Sequence, residues 1–194
     1  QEQYHILRIN RSIERLEKLG SSHRYPKGYI FDYREHSPDS IYYIKKGRIM
    51  AYEDTFNGEH RVYNIMRNGS LFLEEYVLFP KPCPILFETI TDSELLKINR
   101  CDLIRAFKSN IDIVLDILDS VCNKFCASME SQRIGAKQTA EWKLCRMLIS
   151  DFENFGKPYK NGMLLKERVS HQMLADILGM NRVTVSRKFK KLRD

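Results

Sequence analysis

The sequence predicts an α+β protein in which an antiparallel barrel or jelly roll precedes a long amphipathic helix and a helix-turn-helix. Three observations carry that expectation. Short pieces rich in β-branched and aromatic residues alternate with turn signals through the first half of the chain. A heptad-like apolar spacing follows. The last third then holds two short helical patterns punctuated by Gly179, together with the whole of the net positive charge.

In chain order, Gln3 to Leu19 places Ile6, Leu7, Ile9, Ile13, Leu16 and Leu19 near helical spacing. Strand-like pieces follow at Tyr29–Tyr33, Ile41–Lys45, Arg48–Glu53, Arg61–Met66, Pro84–Ile90 and Glu94–Ile98. Pro26-Lys27-Gly28, Ser37-Pro38-Asp39, Lys46-Gly47, Asn57-Gly58 and Asn68-Gly69 separate them. Asn-Gly is a hairpin signal because both central residues of a type I′ turn need φ > 0. Many short strands at such spacing favour an antiparallel barrel or jelly roll. From Arg100 to about Arg133 the period turns helical. Val114, Leu118, Val121, Phe125 and Ser128 form a 4-3-4-3 seam with Ile111 and Met129 beside it, which fits a homodimer coiled coil. Gly135, just beyond, is a candidate hinge. Trp142 to Phe152 is a further amphipathic helix, ended by Phe155-Gly156-Lys157-Pro158.

The most specific stretch is Ser170 to Leu192. Ser170 is a helix N-cap, because its hydroxyl can accept an orphan backbone N–H. Leu174, Ile177 and Leu178 give the first helix an apolar face, and Ala175 is small where a second helix must cross closely. Gly179 suits a tight turn with φ > 0. Asn181 caps the second helix, whose inner residues are Thr184, Val185, Phe189 and Leu192. Arg182, Val183, Ser186 and Arg187 then fall on its outward N-terminal part, as in a recognition helix that meets base edges in the major groove. Ser170, Lys188, Lys190 and Lys191, with Arg193, are candidates for phosphate contacts, which give affinity without sequence information.

Charge agrees with that placement. The formal net charge is +7. Residues 136–194 hold 13 Lys and Arg against 6 Asp and Glu, whereas residues 1–135 hold 19 of each. A basic region beside a neutral one fits a polyanionic partner. No apolar run approaches the ~18 residues of a membrane span, and the first residues lack a signal-peptide core, so a cytoplasmic protein is expected. The five cysteines (83, 101, 122, 126 and 145) contain no C-x-x-C pair, which argues against a disulfide framework. Cys122 and Cys126, on one helix face, read as small buried apolar residues, with a redox or metal role as the alternative. There is no H-E-x-x-H, G-x-S-x-G or Walker glycine loop, so no enzyme is expected and no cofactor.

The chain resembles the Crp/Fnr superfamily of bacterial regulators over nearly its whole length. Val183-Thr184-Val185-Ser186-Arg187 is close to that family's recognition-helix core. The resemblance implies an N-terminal antiparallel β-roll (a double-stranded β-helix or jelly roll) with flanking helices, a long dimerisation helix and a C-terminal winged helix-turn-helix. The corresponding boundaries are 1–100 for the effector-sensing β-roll, 101–135 for the dimerisation helix and 136–194 for the DNA-binding domain. It also implies a homodimer on double-stranded DNA with a palindromic operator, RNA polymerase as a partner there, and a small-molecule effector. The alternative is a cyclic-nucleotide-fold ligand-binding or protein-interaction module that does not bind DNA.

Several positions depart from the family pattern. Val183 stands where many members carry Glu; Val cannot accept from cytosine N4 but can touch a thymine methyl. Lys188 stands where an apolar residue is usual. The sequence reaches Asp194 before the wing hairpin, so the wing is expected to be missing. In Gly69-Ser70-Leu71-Phe72-Leu73-Glu74, Leu73 replaces the second Gly of nucleotide-binding members. Cys83-Pro84 stands where they carry the Arg-Ser pair that holds the cyclic phosphate, so cyclic AMP is not expected to bind. Cysteines before Cys83 are absent, against an iron–sulfur sensor, and haem would have to use Cys83, His36 or His60. The remaining candidates for an effector pocket are Glu74, Tyr76, Thr89, Asn123, Lys124 and Ser128, of which Tyr and Lys suit a phenolate or carboxylate.

Overall fold

The computed structural model describes residues 14–54, 60–135, 139–165 and 170–193. The chain divides into two compact units, residues 1–53 with 62–129 and residues 54–61 with 130–194. In the first unit Glu14–Leu16 end a helix; the rest of the expected N-terminal helix lies outside the described residues. Leu16 is fully buried in the β core.

Among the described residues of this unit, eight strands form two four-stranded sheets. They are β1 (Ser21–Tyr25), β2 (Ile30–Phe31), β3 (Ser40–Lys46), β4 (Ile49–Asp54), β5 (His60–Met66), β6 (Leu71–Phe72), β7 (Leu86–Thr89) and β8 (Ser93–Asn99). One sheet runs β1-β8-β3-β6 and the other β2-β7-β4-β5. Apart from β4 and β5, which neighbour each other in one sheet, successive strands pass between the sheets, as in a jelly roll. Alternation explains which side faces the core: Phe31, Tyr42, Phe72 and Phe87 interleave between the sheets, with Tyr42 and Phe87 each stacked on Phe72 at 5.1 Å. The β3–β4 turn needs Gly47: at φ 111 any Cβ would lie 2.2 Å from Ser93 Oγ. The expected strands are present with shifted ends; β1 and β6, which carry no clear alternation, are additional to them. Asn57-Gly58 lies outside the described residues.

Three helices complete the unit: α1 (Glu74–Leu78), α2 (Arg100–Ser109) and the long α3 (Ile111–Gly135). Ile113 and Ile117 of α3 pack into the β core. That fixes the helix's rotation and corrects the expected seam. The apolar residues left outward are Ile111, Leu115, Leu118, Phe125 and Met129, with exposed Cys122 in step. Val114 and Val121 are half-buried instead. Cys122 and Cys126 are both exposed, not buried as expected; among the cysteines only Cys83 is buried.

The second unit holds α4 (Ala140–Phe155), a hairpin of β9 (Lys157–Tyr159) and β10 (Gly162–Leu164), then α5 (His171–Leu178) and α6 (Arg182–Arg193). The hairpin lies where the sequence reads only as a helix end; its three-residue strands are exposed throughout and give no alternating signal. Leu144, Leu174, Ala175 and Val185 form the core, flanked by Met147, Leu148, Leu178, Met180 and Phe189. No helix among the described residues is long and apolar enough to cross a membrane.

Candidate nucleic-acid interface and effector site

The helix-turn-helix is built from local hydrogen bonds. Ser170 Oγ accepts from Met173 N at 3.1 Å, closing the first turn of α5. Gly179 ends that helix in the left-handed conformation, φ 61, and Met180 N donates to Ala175 O at 2.8 Å. Asn181 Oδ1 accepts from Val183 N at 2.8 Å and starts α6. Ala175 is 1% exposed, so a larger side chain there would push α5 off its neighbours.

With α6 anchored by buried Val185 and half-buried Phe189, the other side of its first turns faces out. Arg182, Val183 and Arg187 are exposed, Ser186 is half-buried and Lys190 is exposed. At 3.6 residues per turn these five lie within an arc of about 140°. The structure thus gathers all four expected base-reading residues on one face. Ser186 also has an internal partner: its Oγ lies 2.9 Å from His171 Nδ1, and the imidazole stacks on Phe189 at 4.8 Å. Sequence reading missed His171, whose partner is fifteen positions away.

The expected phosphate contacts separate into two groups. Lys190 stands on the outward face, and Ser170 is exposed with its oxygen engaged in the cap. Lys188 turns the other way. Its Nζ lies 2.9 Å from Glu141 Oε2 on α4, and Lys191 Nζ lies 3.2 Å from Glu141 Oε1. This explains a Lys where an apolar residue is usual: α4 supplies a carboxylate at that spot. The two ammonium groups hold the Glu141 carboxyl below its ordinary range, chiefly through their hydrogen bonds.

The candidate effector residues are divided as well. Glu74 is fully buried at the start of α1. Its Oε1 accepts from Ser120 Oγ at 2.5 Å and lies 2.7 Å from Lys124 Nζ, both on α3. Lys124 also reaches Glu75 Oε1 at 2.9 Å, while Glu74 Oε2 is buried without a hydrogen-bond partner among the described residues. Leu73, just before, is fully buried at φ 70, a left-handed conformation disfavoured for a branched side chain. Tyr76 is half-buried beside the buried Cys83, and loss of hydration there pushes its hydroxyl up to about 12. Thr89 is elsewhere engaged: its Oγ1 donates to Pro26 O at 2.7 Å and accepts from Tyr29 N at 2.8 Å. Asn123 and Ser128 are exposed on α3. The structure therefore joins Glu74 to Lys124, adds Ser120 and Glu75, and leaves Thr89, at the end of β7, bracing the Pro26–Tyr29 turn.

Comparison with known proteins follows the same division. Residues 22–110 match the cyclic nucleotide-binding domain family, and residues 168–194 match the bacterial regulatory proteins, crp family. The chain is 25% identical to the HTH-type transcriptional regulator ArcR of Staphylococcus epidermidis over 172 residues, 88% of this chain and 74% of that one. Among solved structures, the c-di-GMP-responsive global regulator CLP of Xanthomonas campestris aligns with a TM-score of 0.75 at 20% identity, over 94% of this chain and 90% of that one. FixK2 of Bradyrhizobium japonicum aligns with a TM-score of 0.76 at 17% identity, over 90% and 84%.

Proposed function

Because this chain belongs to the Crp/Fnr family of transcription regulators, we propose that it acts as a homodimer that reads a palindromic operator and takes an effector other than cyclic AMP. The observation that carries the DNA reading is the outward face of α6, with Arg182, Val183, Ser186 and Arg187 together above a capped, buried underside. Arg182 and Arg187 can each donate two hydrogen bonds to guanine O6 and N7, and Val183 can touch a thymine methyl. Lys190 and the Ser170 hydroxyl flank them as phosphate contacts, which hold register on the duplex. Lys188 and Lys191 contribute mainly by holding α6 against α4 through Glu141.

The outward stripe on α3 supports the homodimer, because Ile111, Leu115, Leu118, Phe125 and Met129 recur at heptad spacing and stand open. The effector reading rests on Glu74, Lys124, Ser120, Glu75 and Tyr76. A ligand that displaced Lys124 from Glu74 would change the tie between α1 and α3, and it can act only through unequal affinity for the two arrangements. Buried Leu73 and the Cys83-Pro84 pair support exclusion of cyclic AMP, since neither offers a phosphate a donor fork. The protein then acts in the cytoplasm, with RNA polymerase as its neighbour on DNA, and performs no catalysis.

Selection from random duplexes with the full chain tests this. The expected product is a twofold-symmetric site with half-sites about 34 Å apart. Failure to enrich any sequence would contradict it.

A further inference from the structure

We infer that His171 is a specificity-positioning residue: by holding the hydroxyl proton of Ser186, it makes that serine an acceptor on the reading face of α6. The inference rests on the DNA-binding reading above. Its observations are the 2.9 Å separation of His171 Nδ1 from Ser186 Oγ and the imidazole stacked on Phe189 at an interplanar angle of 14°. The stacking fixes the ring plane, so Nδ1 is presented to one place, the Ser186 oxygen.

A serine hydroxyl has one hydrogen and two lone pairs, so a free serine on a recognition helix reads donors and acceptors alike. His171 removes that ambiguity. It is the first residue of α5, on the element that crosses behind α6. Neutral imidazole carries its proton preferentially on Nε2, which leaves Nδ1 as an acceptor. Ser186 then donates to His171 and turns only lone pairs outward. In the major groove the matching donors are adenine N6 and cytosine N4, whereas guanine O6 and thymine O4 meet another acceptor. The neighbouring exposed Arg182 and Arg187 are pure donors. The face thus carries both polarities, with His171 behind the acceptor.

The test uses the full chain at neutral pH and the operator it selects. Fluorescence anisotropy measures binding to four duplexes that differ only at the base pair whose discrimination Ser186→Ala reduces. The unchanged chain is expected to favour adenine or cytosine there by about fivefold, the scale of one net hydrogen bond. His171→Phe keeps a ring against Phe189 and removes the acceptor. It should bring that preference within about twofold while leaving discrimination at the arginine-read pairs intact. His171→Asn places an amide oxygen near the Nδ1 position and should restore the preference. In a Ser186→Ala background, His171→Phe should change nothing further. A preference for guanine or thymine in the unchanged chain would overturn the inference. So would equal weakening of all four duplexes by His171→Phe, or no base pair sensitive to Ser186→Ala. In each of these cases the regulator reading stands. If the unchanged chain enriches no duplex at all, the reading and the inference fall together.

Discussion

Among the described residues, the first unit holds buried ion pairs and the second only partly exposed ones. In the β-roll unit two carboxylates are buried and answered by cations from distant parts of the chain, while others, such as Asp32 beside Arg34, stay exposed. Glu74 meets Lys124, and Asp116, 8% exposed, takes both nitrogen donors of Arg15 at 2.8 to 3.1 Å. In the helix-turn-helix unit charge stays on the surface, and Glu141 answers Lys188 and Lys191 in partly exposed pairs. Buried pairs tie elements together and punish the loss of one partner, whereas exposed ones contribute little and leave the field available to a ligand. One unit uses buried charge for internal linkage; the other leaves its charge on the surface, open to the duplex proposed above.

The sharpest way to break this contrast is to remove one lysine from each unit. Lys124→Ala leaves Glu74 buried beside a serine alone and should cost about 3 kcal/mol of unfolding free energy. Lys188→Ala should cost less than about 1 kcal/mol. Denaturant titrations of both variants check the difference, and equal losses would erase the distinction between linking and surface charge.

The same contrast explains what was legible in the sequence. In the second unit the informative contacts are local: Ser170 reaches Met173, Gly179 needs only its own φ, and Asn181 reaches Val183. Caps and turns of that range can be read from residue order. The β-roll strands were visible through alternation, but its site was not, because Glu74 finds Ser120 and Lys124 on a helix some fifty positions on. Thr89 reads as a pocket residue from sequence alone, but its hydroxyl is held by Pro26 and Tyr29. The seam on α3 slipped for a related reason. Valines and leucines satisfy two overlapping heptads, and only the packing of Ile113 and Ile117 decides which faces out.

A second comparison lies within α6 itself. Arg187→Ala should lose about 1–3 kcal/mol of discrimination at one base pair. Lys190→Ala should weaken all duplexes alike and lower the salt slope by about one. Affinities measured over a salt series separate the two. Equal effects on every sequence from Arg187→Ala would remove it from the base-reading set.

The smallest effect concerns the clamp on α6. The folded-state carboxyl of Glu141 titrates below its unfolded value, so its contribution is present above the ordinary carboxylate range and is lost as the pH falls through that range to the folded value. The melting temperature of Glu141→Gln should therefore lie slightly below that of the unchanged chain at pH 7, and the gap should close in acid. A gap that widened in acid would show that Lys188 and Lys191 are not its partners in solution.

The most direct test is methylation interference on the selected operator. Methylation of guanine N7 blocks the major groove, whereas methylation of adenine N3 blocks the minor groove. Interference is expected at guanine N7 in two symmetric pairs of positions, the half-sites about one helical turn apart, with one pair lost when Arg187 is replaced by Ala. Interference confined to adenine N3, or to a single half-site, would contradict it.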